Sequence, residues 1–439
     1  MKPFATLAFV VAVTTATSCL ADVTVTGRSG GPPLVKNTHY EIGQNADGDY
    51  LIDIIAYYDT IDTNQYFITI GDGDVIQLLE VTVPFTNGSG KHVSLIIDPA
   101  NNATSGRLDA VTTPTQGPVI LDADVLGDIG SLEATEIGNI RALLGDVLGP
   151  ISAVGSINVV VSKFGDVRAD ITAGSGGSIR FIEAINGDIG APGANNHAII
   201  QAGDYINKVF AKNVYADFGS TSNEGCDVAR VIALDGVFEG EIIVQNIYDS
   251  DGDNDINGVI RGITGMTADI FTSGDIKEAI EVIGGDFAGS IECDNLTGET
   301  GDEERVFSGY INIREDEGVG GAFDGDVLIN SSLSGPLSYA RFAKSYEGTF
   351  TIGDNFAADE NATTTEFDVL GDPSNGEGLK GQVIINANNN SGTWTGAVAV
   401  NSTALAPVPY YNNIAEDIGG GAVGLVPYYL HYNDCTPTA

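Results

Sequence analysis

Five oxygen-bearing side chains fall at alternate positions in one short stretch: Asp249, Asp251, Asp253, Asp255 and Asn257. A hard cation such as Ca2+ takes six to eight oxygen ligands, and carboxylates at this spacing can converge from a single tight loop. The spacing nominates these five residues as a Ca2+ site. It departs from an EF-hand, because the twelfth position counted from Asp249 is Ile260 rather than Glu, and no helical pattern flanks it. The competing reading is a solvated acidic turn, against which stands the mutual repulsion of so many neighbouring anions. Asn45-Ala46-Asp47-Gly48-Asp49 and Asp72-Gly73-Asp74 are shorter versions that read as turns.

Other chemistry is harder to find. Glycoside hydrolysis needs two opposed carboxylates, but the 60 acidic residues make such pairs inevitable, so their presence decides nothing. A lyase needs a base beside a cation-bound uronate. Arg261 follows the acidic stretch and Arg230 precedes it by about one repeat. Both read as salt-bridge partners of the acidic loop rather than as a base. His39, His92, His197 and His431 sit in unrelated contexts, and His197 in Asn195-Asn196-His197 reads as a polar loop residue. Gly27-Arg28-Ser29-Gly30-Gly31 and Gly419-Gly420-Gly421-Ala422-Val423-Gly424 match short catalytic and nucleotide-binding patterns without the strand–turn–helix context those patterns require. No catalytic residue is assigned, and Ca2+ is the one cofactor expected.

The elements that would carry these residues form an irregular repeat. Gly127-Asp128-Ile129, Gly145-Asp146-Val147, Gly165-Asp166-Val167, Gly187-Asp188-Ile189 and Gly203-Asp204-Tyr205 recur at steps of 18, 20, 22 and 16 residues. Gly138-Asn139-Ile140, Gly155-Ser156-Ile157 and Gly177-Ser178-Ile179 lie between them. Later copies place a large apolar residue two before the glycine, as in Phe238-Glu239-Gly240, Phe287-Ala288-Gly289, Phe307-Ser308-Gly309, Phe323-Asp324-Gly325 and Trp394-Thr395-Gly396. The intervening segments alternate inward and outward, which is strand periodicity, and glycine permits the bend. A unit of this length cannot bury its own face and must stack on its neighbours, as one coil of a β-solenoid does. The best helical segment is 269–283, interrupted by Gly274.

The pattern resembles, in architecture, the right-handed parallel β-helix of the pectate-lyase-like superfamily. The resemblance covers roughly residues 115–400 and implies an all-β fold, and the chain then reads in four parts: a signal peptide at 1–21, a β-rich N-terminal region or cap at 22–114, a parallel β-helix at 115–400 and an aromatic C-terminal cap at 401–439. About 14 coils of roughly 20 residues, at about 4.8 Å each, would make a rod of about 65 Å. A pair of Greek-key sandwiches is the competing fold. Polysaccharide cleavage is the usual activity of secreted β-helices, so a polysaccharide lyase or glycoside hydrolase is the alternative to a structural protein.

Compartment and partners follow from the composition. Residues 1–21 carry Lys2, the apolar run 4–13 and small residues before Asp22, the layout of a secretory signal peptide; Cys19 offers lipidation as a second option. Secretion or display at the cell surface is therefore expected. The 439 residues hold 60 acidic and 19 basic side chains, a formal charge of -41, which excludes nucleic acid and anionic membrane as partners because both need clustered cations. With 43% hydrophobic residues the chain can bury a core. Beyond residue 21 there are three cysteines, Cys226, Cys293 and Cys435, an odd count that is not a disulfide framework, and stacked coils would hold Cys226 and Cys293 too far apart to bond. The expected function is a non-catalytic structural or adhesive protein, Ca2+-stabilised. Its expected partners are an extracellular glycan, other surface proteins or further copies joined end to end.

Overall fold

The computed structural model describes residues 23–56, 63–70, 75–81, 91–99, 107–112, 119–220, 226–244, 256, 258–274, 276–293, 306–307, 309–329, 332–333, 339–352, 366–371, 375, 377–380, 382–385, 397–400, 414–417 and 423–426, several strands among these by backbone pairing alone. No α-helix occurs among the described residues. One 33-stranded sheet takes in almost every strand, and most strands pair not with their sequence neighbour but with one two to four elements further on. Such pairing is what successive coils laid on one another produce.

Two parallel ladders result. The first stacks Glu136–Ala142, Ile157–Ser162, Ile179–Ile189, the start of Tyr205–Ser220, Asp227–Ala233, Val259–Gly262, Ala279–Ile283, Tyr310–Arg314 and Tyr339–Phe342. The second stacks Ile151–Ala153, Ile171–Ala173, Ala198–Ala202, the end of Tyr205–Ser220, Val237–Val244, Gly265–Thr272, Ile291–Cys293, Val327–Ile329 and Thr349–Ile352. Inward residues of both ladders meet in one apolar core.

A single column shows how the sequence builds that core. Ile129, Val147, Val167, Ile189, Val214, Phe238, Met266, Phe287, Phe323, Tyr346 and Leu379 lie one above the next. The first four are the residues after each Gly-Asp pair. The aromatics two before the later glycines fill the same place. Phe287 and Phe323 stack at 4.4 Å, and Phe323 and Tyr346 at 5.1 Å. Among the described residues this column has eleven levels, from Ile129 to Leu379. The later coils are longer, since 36 residues separate Phe287 from Phe323.

The parallel pairing also starts early. Tyr50–Ile54 pairs in parallel with Val75–Val81, and that pairing continues without a break through Lys91–Pro99 and Arg107–Thr112 into the first ladders. Thr24–Gly27 and Tyr40–Gln44 add antiparallel strands at the start, and Ile414–Asp417 pairs with Val423–Val426 in a hairpin of its own.

The segment 269–283 is not helical. It contributes the end of strand Gly265–Thr272, a turn and strand Ala279–Ile283. Its apolar residues Ile280 and Val282 alternate with a period of two and enter the core, and Gly274 marks the turn rather than interrupting a helix.

Candidate functional site

Asp249, Asp251, Asp253, Asp255 and Asn257 lie outside the described residues. Ile256, between the last two, bridges Val228 and Ile276 in the stack. Among the described residues, no group of three or more His, Cys, Asp or Glu side chains converges to hold a metal ion. The shorter motif at Asn45 is a closed turn, in which the Asn45 side-chain oxygen accepts the amides of Asp47 and Asp49 at 2.9 Å.

The Gly-Asp repeat has a direct structural use. Asp128 Oδ1 accepts the amide of Asp146 at 2.9 Å, Asp146 Oδ1 that of Asp166 at 2.8 Å, and Asp166 Oδ1 that of Asp188 at 2.9 Å. Asn213 then donates to Asp188 at 2.7 Å and accepts from the Val237 amide at 3.0 Å. Each carboxylate thus reaches one coil forward. A Cβ at Gly145, Gly165 or Gly187 would fall on the carboxylate reaching over from the previous coil, so only glycine fits before the aspartate. Gly203-Asp204 belongs elsewhere: the Gly203 amide bonds to Gly177, and Asp204 accepts from Ser178 Oγ at 2.7 Å. The short step of 16 residues is therefore a change of column, and the sequence run mixes two corners of the coil.

A hydrogen bond from an amide to a charged acceptor contributes about 1.5–3 kcal/mol. Carboxylates about 4.8 Å apart repel by about 1 kcal/mol in water and about 3 kcal/mol at a lower surface dielectric. The two effects are comparable, which accounts for the Arg168 side chain on Asp166 at 2.7 Å and for the neutral Asn213 at the upper level.

Two clusters bring chemistry-bearing residues together. In the first, Arg261 donates from Nε to Glu281 Oε2 at 2.7 Å and also from Nη2, while Tyr310 OH donates to Glu281 Oε1 at 3.0 Å. Arg261 thus finds a partner on the next coil. Tyr310 stacks on Tyr339 at 4.8 Å, and Arg341 lies over the Tyr339 ring. Burial, with the Glu281 carboxylate beside it, pushes the Tyr310 phenol up to about 12. Asn312 is buried in the same row, between Glu281 and Arg341 in register, and its side-chain oxygen has no hydrogen-bond partner. Arg230, also singled out by the sequence, is one coil back in an adjacent column, paired in register with Lys208.

In the second cluster, His197 Nδ1 is 2.9 Å from Asp217 Oδ1 and Nε2 is 3.4 Å from Glu239 Oε1. Glu239 also accepts the amide of Gly193 at 3.1 Å. A neutral imidazole carries one N–H and can satisfy only one of the two carboxylates; the imidazolium satisfies both. The His197 side chain is only 6% exposed, and with Glu239, which accepts the Gly193 amide, it clamps the turn at 190–197. The sequence missed it because Asp217 and Glu239 lie 20 and 42 residues from His197.

Cys226 and Cys293 are free thiols, both buried, and burial pushes Cys226 up to about 12, away from nucleophilic use. Cys435 lies outside the described residues. No helix among the described residues is long and apolar enough to cross a membrane. The class of protein these features define is an all-β one, built on parallel strands stacked coil on coil and held by a carboxylate ladder. No family model matches the chain, and no curated protein or solved structure matches it either.

Proposed function

We propose that this chain is a secreted, non-catalytic structural or adhesive protein, a right-handed parallel β-helix of the pectate-lyase-like kind, stabilised by Ca2+ at Asp249, Asp251, Asp253, Asp255 and Asn257. The observation that carries this reading is the carboxylate ladder. Acidic side chains that an enzyme would present to substrate are turned here onto backbone amides of the next coil. That arrangement lengthens and stiffens a rod. The layout of residues 1–21 supports export, and the acidic stretch at 249–257 supports the cation.

A second reading, a polysaccharide lyase or glycoside hydrolase, is favoured by one observation. Arg261, Glu281, Tyr310 and Arg341 gather on the outward side of one ladder, where a glycan chain could lie. Its weakness is that Arg261 and Glu281 already neutralise each other.

The test incubates the purified protein with neutral and acidic polysaccharides, with Ca2+ and with chelator. It scores new reducing ends, unsaturated products and co-sedimentation. The structural reading expects no cleavage, and a melting temperature that falls on chelation in the parent but not in the Asp251→Ala, Asp253→Ala double variant. Cleavage of any polymer that is lost in Arg261→Ala would replace it with the second reading.

A further inference from the structure

Each of the two ladders carries a column of like charges on its outward side, cationic on the first and acidic on the second. On the first, Lys208 and Arg230 occupy consecutive levels of one column. Beside them the next column carries Phe210 and Ile232, with Val161 two levels below Phe210 and Glu183 between. Lys208 is exposed, and among the described residues neither Lys208 nor Arg230 has an ion-pair or hydrogen-bond partner.

On the second ladder, Asp217, Glu241 and Asp269 form a column at three consecutive levels. The neighbouring column carries Ile243 and Phe271, followed by Glu292 and Leu328. Ile243 is 42% exposed. The Glu241 carboxylate points to solvent with no partner among the described residues. Charged and apolar columns thus run side by side on both faces. Both repeat at the same interval of about 4.8 Å, because strand pairing sets both.

We propose that the Lys208/Arg230 face of one copy docks on the Asp217/Glu241/Asp269 face of a second copy of this chain. The inference rests on the structural reading above and supplies its partner. The occupant is another copy because the acidic face has the complementary charge, the adjoining apolar column and the identical spacing. The two faces differ, so the contact is heterologous. Each docked copy leaves one face of each kind open, and the assembly grows sideways instead of closing. The net charge of -41 opposes approach at long range, but at physiological salt that repulsion is screened beyond about 8 Å, while pairs in contact persist.

The experiment is sedimentation velocity of the purified protein in about 0.15 M NaCl, up to about 100 µM. The parent is expected to assemble with rising concentration. Lys208→Glu with Arg230→Glu, and separately Glu241→Lys, should each raise the concentration needed by about tenfold or more, since like charges then face each other. Each variant keeps one intact face, so an equimolar mixture should pair at concentrations where neither variant alone assembles. Parent melting temperatures in both variants would show that they fold. A parent that stays monomeric throughout, assembly unchanged by either reversal, or a mixture that fails to pair would each overturn the proposal. Polysaccharide cleavage by the parent would instead sink the structural reading and leave any observed docking standing.

Discussion

The aspartate after each repeat glycine does two opposed things. It accepts an amide one coil ahead, and it places a negative charge above another of the same kind. Asp146 separates the two effects. Replacement by Asn keeps an acceptor oxygen and removes the charge, as Asn213 already does at its level. Asp146→Asn should therefore be neutral or slightly stabilising, whereas Asp146→Ala leaves the Asp166 amide without its partner and should cost about 1–3 kcal/mol in chemical denaturation. Gly165→Ala should cost at least as much, because its Cβ would fall on the Asp146 carboxylate and the Gly145 backbone. Equal stability of all three variants would remove the ladder from the account of the fold. The Gly-Asp dipeptides were visible in the sequence, but their partners were not, since each lies 18 to 22 residues away.

Strands here are short, many of three or four residues, and none is stable by itself. What orders them is the column each contributes to. Phe323 sits between Phe287 and Tyr346 and also meets Phe342 edge-on at 5.4 Å. It is 1% exposed. Phe323→Ala should cost about 3–5 kcal/mol. Coils contact only their neighbours, so that loss should appear in calorimetry as a separate early transition of the C-terminal coils instead of a uniform shift. A single transition displaced as a whole would show that the stack unfolds as one unit. The helical reading of 269–283 failed at this scale. Its apolar residues suit either period over so short a span, and pairing of Ala279–Ile283 with Tyr310–Arg314 and Val259–Gly262 decided for strand.

At the scale of the molecule, 60 acidic side chains against 19 basic ones leave a net mutual repulsion. Salt screens that repulsion without touching the core. The melting temperature of the Lys208→Glu, Arg230→Glu variant, in which docking is blocked, should therefore rise between about 10 mM and 0.5 M NaCl, where the Debye length falls from about 30 Å to a few ångströms. A flat or falling curve would mean that fixed ion pairs such as Arg261–Glu281 outweigh the general repulsion. The all-β class, the stacking of short units and the acidic surface were legible in the sequence, because strand period, recurrent glycine and charge are local properties of the chain. Which residues share a level was not. Coil lengths vary from 18 residues to 36, so sequence distance does not convert to position along the stack, and a slip of one residue would turn every side chain to the other face. Only the closed set of strand pairings brings His197 between Asp217 and Glu239, sets Arg261 on Glu281, and stacks Lys208 on Arg230 and Glu241 on Asp269.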